Sequence, residues 1–299
     1  MKKKIGFIGL GQMGKWMALN LLQGNYELIV FDISENAMAF LTSRGAKKAK
    51  SAAELANLSD WIFLSLPDSN VTEEIIFGSK GIIRGSKNNQ IVVDLGTSDH
   101  MWTKKTSAKL KESGICFSDA PVTGMEDRAE EASLTIMFGG DEKILEEVRP
   151  ALEKIGNKIV YMGETGSGQL SKMINNVLFN VHLAALAEVM PMAVKLGLEP
   201  EKLAQVINTG SGQSFASRVF LPKILDNRFD HGYSMDDAYK DMVNICRISS
   251  NEKIPIPVVH AAFSTYQTAL KSGYGKEDKG AMIKIFEKLL KVEFRKKEL

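Results

Sequence analysis

Through the first half of the chain, short apolar runs alternate with longer segments whose apolar positions recur every three to four residues. The runs fall at 5–8, 28–31, 61–66, 91–94, 116–119, 134–138 and 158–161, with a shorter candidate at 46–49. Such runs fit strands buried on both faces. Between them, 13–23, 34–44, 101–112 and 141–155 read as helices, and Ser51-Ala-Ala-Glu54 reads as a capping box opening another. The alternation predicts an α/β fold with a doubly wound, mainly parallel sheet. From Gly168 the period changes. Leu170, Ile174, Val177, Val181, Ala184, Ala185 and Val189 keep helical spacing over many turns, and Pro191 is expected to kink or end that helix. Further helices are expected at 200–209, 214–225, 235–250, 257–272 and 278–290. The chain therefore divides into an α/β domain over 1–164 and an all-helical C-terminal domain over 165–299, with no flexible linker, and the cleft between them is the natural place for a site.

The first strand runs straight into Gly9-Leu10-Gly11-Gln12-Met13-Gly14. Gly9 permits a tight turn, Gly11 lets the backbone approach a pyrophosphate, and Gly14 lets the helix pack close to the strand. The free N–H groups of the helix start, Gln12 and Met13 among the residues around it, suit phosphate oxygens. The next strand closes on Asp32, 18 residues after Gly14, where a carboxylate can accept from both ribose hydroxyls. Strand, glycine turn, helix, second strand and terminal acid in register predict a Rossmann-type dinucleotide site. Asp32 would repel a 2′-phosphate, and Ile33, Ser34 and Glu35 offer no cation to hold one. NAD is expected over NADP.

A second glycine turn, Gly166-Ser-Gly168, opens the long helix and leads to Lys172, Asn175 and Asn176. Lys172 and Asn176 are four apart and share a helix face. With Leu170, Met173 and Ile174 beside it, Lys172 is placed to be partly desolvated, which favours proton exchange with a substrate hydroxyl. Asn176 would hold the same substrate in a reactive pose.

Composition adds limits. Hydrophobic residues make up 44% and charged residues 25%, with a net charge of +2, so nothing suggests a nucleic-acid surface or an acidic membrane. No apolar run approaches the length of a membrane span, and the glycines after Lys2-Lys3-Lys4 interrupt any signal peptide. Cys116 and Cys246 make no metal or redox spacing, which fits a reduced cytoplasm. The terminal Lys296-Lys297-Glu298-Leu299 reads as a charged end. None of His100, His182, His231 and His260 is expected to be catalytic, and no metal pattern is present. Arg218, after a Gly/Ser-rich turn, reads either as a surface residue or as a contact for a substrate carboxylate.

Taken together, four separated motifs resemble those of the β-hydroxyacid dehydrogenase family, which includes 3-hydroxyisobutyrate dehydrogenase and tartronate semialdehyde reductase. They are Gly6-Phe-Ile-Gly9-Leu-Gly11-Gln-Met-Gly14, Asp119-Ala-Pro-Val-Thr123-Gly124, the Lys172 stretch, and Lys240-Asp241. The resemblance implies that Lys172 is the catalytic lysine, with Asn176 and Asn175 orienting substrate. It implies a substrate carboxylate against Thr123 and Gly124. It also implies cofactor contacts at Leu66, Pro67, Thr97 and Lys240, and a homo-oligomer, dimer or tetramer, formed through the helical domain. The family's substrate loop usually reads Ser-Gly-Gly; here Met125 replaces the last glycine, and Glu126-Asp127-Arg128 follow it. This predicts a shift away from the smallest substrates, with Arg128 available to a second anionic group if it faces the cleft. Two other readings are a dinucleotide-binding sensor without turnover and a relative that reduces imines or longer semialdehydes.

Overall fold

The computed structural model describes residues 3–230 and 234–296. Lys2, His231 and Lys297-Glu298-Leu299 lie outside the described residues. Two compact units result, Met1–Lys172 and Met173–Leu299.

The first unit contains β1 (Lys4–Ile8), α1 (Gly14–Gln23), β2 (Glu27–Phe31), α2 (Glu35–Thr42), β3 (Lys47–Lys48), α3 (Ala52–Leu58), β4 (Trp61–Leu64) and α4 (Ser69–Phe77). After a short 3-10 turn come β5 (Ile91–Asp94), α5 (His100–Glu112), β6 (Cys116–Asp119), β7 (Val122–Thr123), α6 (Met125–Glu130), β8 (Leu134–Gly139), α7 (Glu142–Leu152) and β9 (Gly156–Gly163). The sheet order is β3-β2-β1-β4-β5-β6-β8-β7, with β9 also paired to β8. From β3 to β6 all neighbours are parallel. This is the dinucleotide-binding order, with its reversal at β1 and β4. Side chains along each strand alternate between two buried clusters. Ile5, Phe7, Trp61, Phe63, Ile91 and Val93 enter one; Ile8, Ile62, Leu64 and Val92 enter the other. Both faces of the sheet are therefore covered, which explains why the strands read as unbroken apolar runs.

Three features differ from the sequence reading. Residues 69–77 form a helix capped by Asp68, whose carboxylate accepts from Asn70 and Val71 N–H. That segment is short, and its cap is its main signal. At Ser51, the hydroxyl accepts from Glu54 N–H, but Glu54 reaches back to Lys50 N–H instead of Ser51. Met125 to Glu130 is a helix, so the charged run there is its polar surface and not an open loop.

α8 (Ser167–Lys195) begins in the first unit and continues into the second, which also holds α9 (Pro200–Thr209), α10 (Phe215–Leu225), α11 (Met235–Glu252), α12 (Pro257–Lys271), a 3-10 turn at Lys279–Met282 and α13 (Ile283–Leu290). Pro191 lies inside α8 without ending it. Among the described residues this helix is long and apolar enough to cross a membrane by length and composition, which corrects the sequence reading. Scattered asparagines hide that span in the sequence, because they break the apolar run without adding charge. Val177, Leu183, Ala184, Leu186, Ala187 and Met190 of α8 join the core of the second unit. Asn180 is fully buried there and accepts from Lys279 Nζ at 2.7 Å, while the same ammonium lies 3.7 Å from the Phe179 ring centroid.

Candidate active site

The candidate residues of the first unit follow the C-terminal ends of its parallel strands, where ligands bind in open α/β sheets. After β1, Gly9 has φ 93°, and a Cβ there would stand 2.2 Å from the Ser65 carbonyl oxygen. A Cβ at Gly14 would stand 2.0 Å from the Gly9 oxygen. These two glycines close the turn onto β4 and onto itself. At Gly11, by contrast, a Cβ would meet nothing within 4 Å, so the loop leaves open space above it. Helix α1 starts there with no side-chain cap and no acidic residue in its first turn. Gly11 and Gln12 are exposed and Met13 is half-buried. Open space beside uncapped N–H groups fits a pyrophosphate.

Asp32 stands at the end of β2. Its Oδ2 accepts from Leu10 N–H at 2.6 Å and its Oδ1 from Ser34 N–H at 2.8 Å. The carboxylate thus pins the glycine loop, a role the sequence reading did not assign. Each oxygen has a second lone pair, so ribose hydroxyls can still bond to it. Leu66 and Pro67 follow β4, half-buried and exposed respectively, and exposed Thr97 follows β5. These positions fit a dinucleotide laid across the strand ends.

Thr123 ends β7, where it pairs with Thr135, and Gly124 follows with φ 148°. Lys172 Nζ donates to the Val122 carbonyl oxygen at 2.8 Å, which brings the lysine beside Thr123. Met125 is a non-glycine residue at φ 67°, in the left-handed region that favours glycine. Arg128 donates from Nη2 to the Ser133 carbonyl oxygen, closing its own turn. Glu126 accepts from Gln12 Nε2 at 2.7 Å and Trp16 Nε1 at 2.9 Å, and pairs with Lys15 at 2.9 Å. Those donors, Trp16 first, hold its carboxyl down at about 2. The sequence showed only a charged run here; the link to α1 depends on how α6 packs.

Two strands end in buried carboxylates. Asp94 of β5 and Asp119 of β6 are paired in register and fully buried, and burial raises both to about 6 from 3.8. A charged residue closing an apolar run is the sequence signal that could have marked them.

In the second unit, Asn176 Nδ2 donates to Asp241 Oδ2 at 3.0 Å, and Asp241 is 7% exposed. Asn175 is exposed and lies 3.4 Å from Asn176 Oδ1 through its Nδ2. Lys240 Nζ bonds Asp237 Oδ1 at 2.9 Å. Arg218 is exposed and stacks toward Phe215, 5.7 Å from the ring centroid. Among the described residues no cluster of metal-ligating side chains occurs.

Residues 4–163 match the profile described as the NAD binding domain of 6-phosphogluconate dehydrogenase. Residues 166–286 match that described as the NAD-binding region of NADP-dependent 3-hydroxyisobutyrate dehydrogenase. Over 287 residues the chain is 36% identical to 2-(hydroxymethyl)glutarate dehydrogenase of Eubacterium barkeri, covering 96% of this chain and 95% of that one. The chain belongs to the β-hydroxyacid dehydrogenase family. Membership makes it a nicotinamide-dependent oxidoreductase. Similarity extends to mitochondrial 3-hydroxyisobutyrate dehydrogenase of Bos taurus, 32% identical over 93% of this chain and 84% of that one. The crystal structure of 3-hydroxyisobutyrate dehydrogenase from Salmonella typhimurium superposes with a TM-score of 0.87, at 26% identity over 95% of this chain and 100% of the other.

Proposed function

We propose that this family member transfers a hydride between NAD and a small β-hydroxy acid or its semialdehyde, with Lys172 as the general acid and base. The observation that carries this is the 2.8 Å bond from Lys172 Nζ to the carbonyl oxygen of Val122, the residue before Thr123. When bound, the nicotinamide ring accepts or returns the hydride. Lys172, in its neutral form, takes the hydroxyl proton as the alcohol carbon is oxidised; in reduction its ammonium returns a proton to the carbonyl oxygen. The Thr123 hydroxyl and the Gly124 backbone hold the substrate carboxylate. Asn176 gives one Nδ2 hydrogen to Asp241, and its second Nδ2 hydrogen donates to the substrate oxygen and holds the reactive pose. Leu66, Pro67, Thr97 and Lys240 are read as cofactor contacts and Asn175 as a further substrate contact.

Asp32 favours NAD. A 2′-phosphate would meet its charge, and the neighbouring Ile33 is 94% exposed and offers no cation. The family profiles name both cofactors, so the preference rests on this loop. Residues 1–164 are read as the cofactor domain and residues 165–299 as the substrate and oligomerisation domain. Leu170, Ile174, Leu178, Val189 and Met192 of α8 are all more than a third exposed, and at helical spacing they fall within an arc of about 100°. Such an apolar stripe supports a homo-oligomer through α8. Free Cys116 and Cys246 support a reducing, cytoplasmic setting.

The test is oxidation of a panel of small β-hydroxy acids with NAD and with NADP, and reduction of the matching semialdehydes. NADH formation from at least one acid is expected. Binding of NAD without turnover of any member would leave the sensor reading in its place.

A further inference from the structure

We infer that Gln169 is a positioning residue that locks the Thr97 turn to the start of the Lys172 helix, held there by the buried Asp94 and Asp119. The inference deepens the reading above and rests on its roles for Thr97 and Lys172.

The lock begins with the two strand-end carboxylates. Asp119 accepts from Gly166 N–H at 2.6 Å and from Gln169 N–H at 2.7 Å. It therefore caps the first turn of α8 from a different strand, satisfying donors that have no intrahelical acceptor and placing a carboxylate at the positive end of the helix. The approach is too close for side chains. A Cβ at Gly168 would stand 2.3 Å from the Met137 oxygen and 2.8 Å from Asp119 Oδ2. The second glycine of the turn is thus required by the seat of the helix on the sheet.

From that seat the Gln169 side chain, only 1% exposed, reaches the turn after β5. Its Nε2 donates to the Gly96 carbonyl at 2.9 Å, and its Oε1 accepts from Ser98 N–H at 2.9 Å. One side-chain amide brackets Thr97 on both sides. Asp94 completes the turn by accepting from Gly96 N–H at 2.9 Å and from the Ser98 hydroxyl at 2.7 Å. The polar groups on either side of Thr97 are tied inward, while Thr97 itself remains exposed. Gln169 lies less than one helical turn before Lys172. A shift of the first turn of α8 moves the Lys172 amine and the Thr97 turn together, because the Gln169 amide joins that turn directly to the helix start. No shorter or purely accepting side chain can make both bonds.

Gln169→Leu removes these two bonds, and the longer 3.5 Å one from Nε2 to Asp94 Oδ2, at similar volume. It should weaken NAD binding, read by fluorescence titration, by roughly tenfold, and lower kcat by roughly ten- to a hundredfold, the range expected when reacting groups are displaced by about 1 Å. Gln169→Glu supplies the second arm. Protonated, its acid can donate to Gly96 and accept from Ser98; ionised, it cannot donate. The titratable groups around it are Asp94 and Asp119, with His100 and Lys104 of α5 against Gly166 and Lys172 further along α8. Its activity relative to the wild type should fall as pH rises from mildly acidic to mildly alkaline. A Gln169→Leu protein with wild-type NAD affinity and kcat overturns the inference, and so does a Gln169→Glu profile parallel to the wild type. If Gln169→Leu does not fold, the Gln169→Glu profile decides. If the wild type binds NAD but oxidises no hydroxy acid, the reaction assigned above fails, and the NAD titration still decides the role of Gln169.

Discussion

Lys172 Nζ donates a 2.8 Å hydrogen bond to the carbonyl oxygen of Val122, the residue before Thr123. A backbone carbonyl orients the amine without taking a proton from it. The bond brings a residue from the start of α8 to the strand end that carries the proposed carboxylate anchor. On the roles proposed above, proton transfer and substrate binding would meet at this one contact.

Asp32 is expected to select the cofactor and to shape its loop. Asp32→Ala removes the repulsion of a 2′-phosphate and also the 2.6 Å bond from Leu10 N–H. In kcat/KM measurements the ratio of NAD to NADP should fall by roughly tenfold or more, mainly through loss of activity with NAD, as expected for a lost charge-assisted bond. An unmodified protein that prefers NADP would remove the basis for this assignment.

Asp241 should act through Asn176. With Asp241→Leu the Asn176 amide loses its 3.0 Å acceptor and is free to flip. The KM for the hydroxy acid should rise by roughly five- to tenfold, about one hydrogen bond's worth, while the NAD affinity stays near the wild-type value. Equal losses in both would place Asp241 in general folding instead.

Met125 carries two expectations. At φ 67° it occupies backbone space that glycine enters without strain, so Met125→Gly should stabilise the fold by about 1 kcal/mol, measured by urea unfolding. The same change opens room at the substrate loop and should raise kcat/KM for the smallest hydroxy acids relative to longer ones. Stability and selectivity that both stay unchanged would show that the residue is merely tolerated. Arg128 is tied to Ser133, so Arg128→Ala should leave the ratio unaltered.

The strand-end carboxylates predict a pH effect on stability. Both titrate near 6 in the folded protein against 3.8 ordinarily, chiefly through burial. The folded state therefore holds more protons between those values. The stability this confers is fully present below the lower value and is lost as pH rises through the upper one. For Asp94 alone the change is on the order of 3 kcal/mol. Asp94→Asn removes that group's titration, so its stability relative to the wild type should improve as pH rises from about 4 to about 7. A pH-independent difference in urea unfolding would contradict the assignment.

Much of the fold was legible because local pattern and packing agree. The strands at 5–8, 61–64 and 91–94 are buried on both faces, so each reads as an apolar run, and Gly9 and Gly14 stand where the backbone admits no Cβ. The second unit was legible from helical spacing alone. The buried connections were not. Asp119 and Gln169 are 50 residues apart, and nothing local marks that one caps the other. Glu126 looked like part of a solvated run until α6 set it against Trp16. Polar groups that work through long-range bonds leave only a faint trace in one dimension, here an aspartate at the end of each of two apolar strands.

The central claim is that Lys172 moves the proton. Its most direct test is the single-turnover rate of hydride transfer in Lys172→Ala, under saturating NAD and hydroxy acid, with NAD affinity measured in parallel. The rate should fall by roughly two orders of magnitude or more, the contribution expected of a positioned acid and base, while NAD binds as in the wild type. Near-wild-type hydride transfer in that variant would contradict the account.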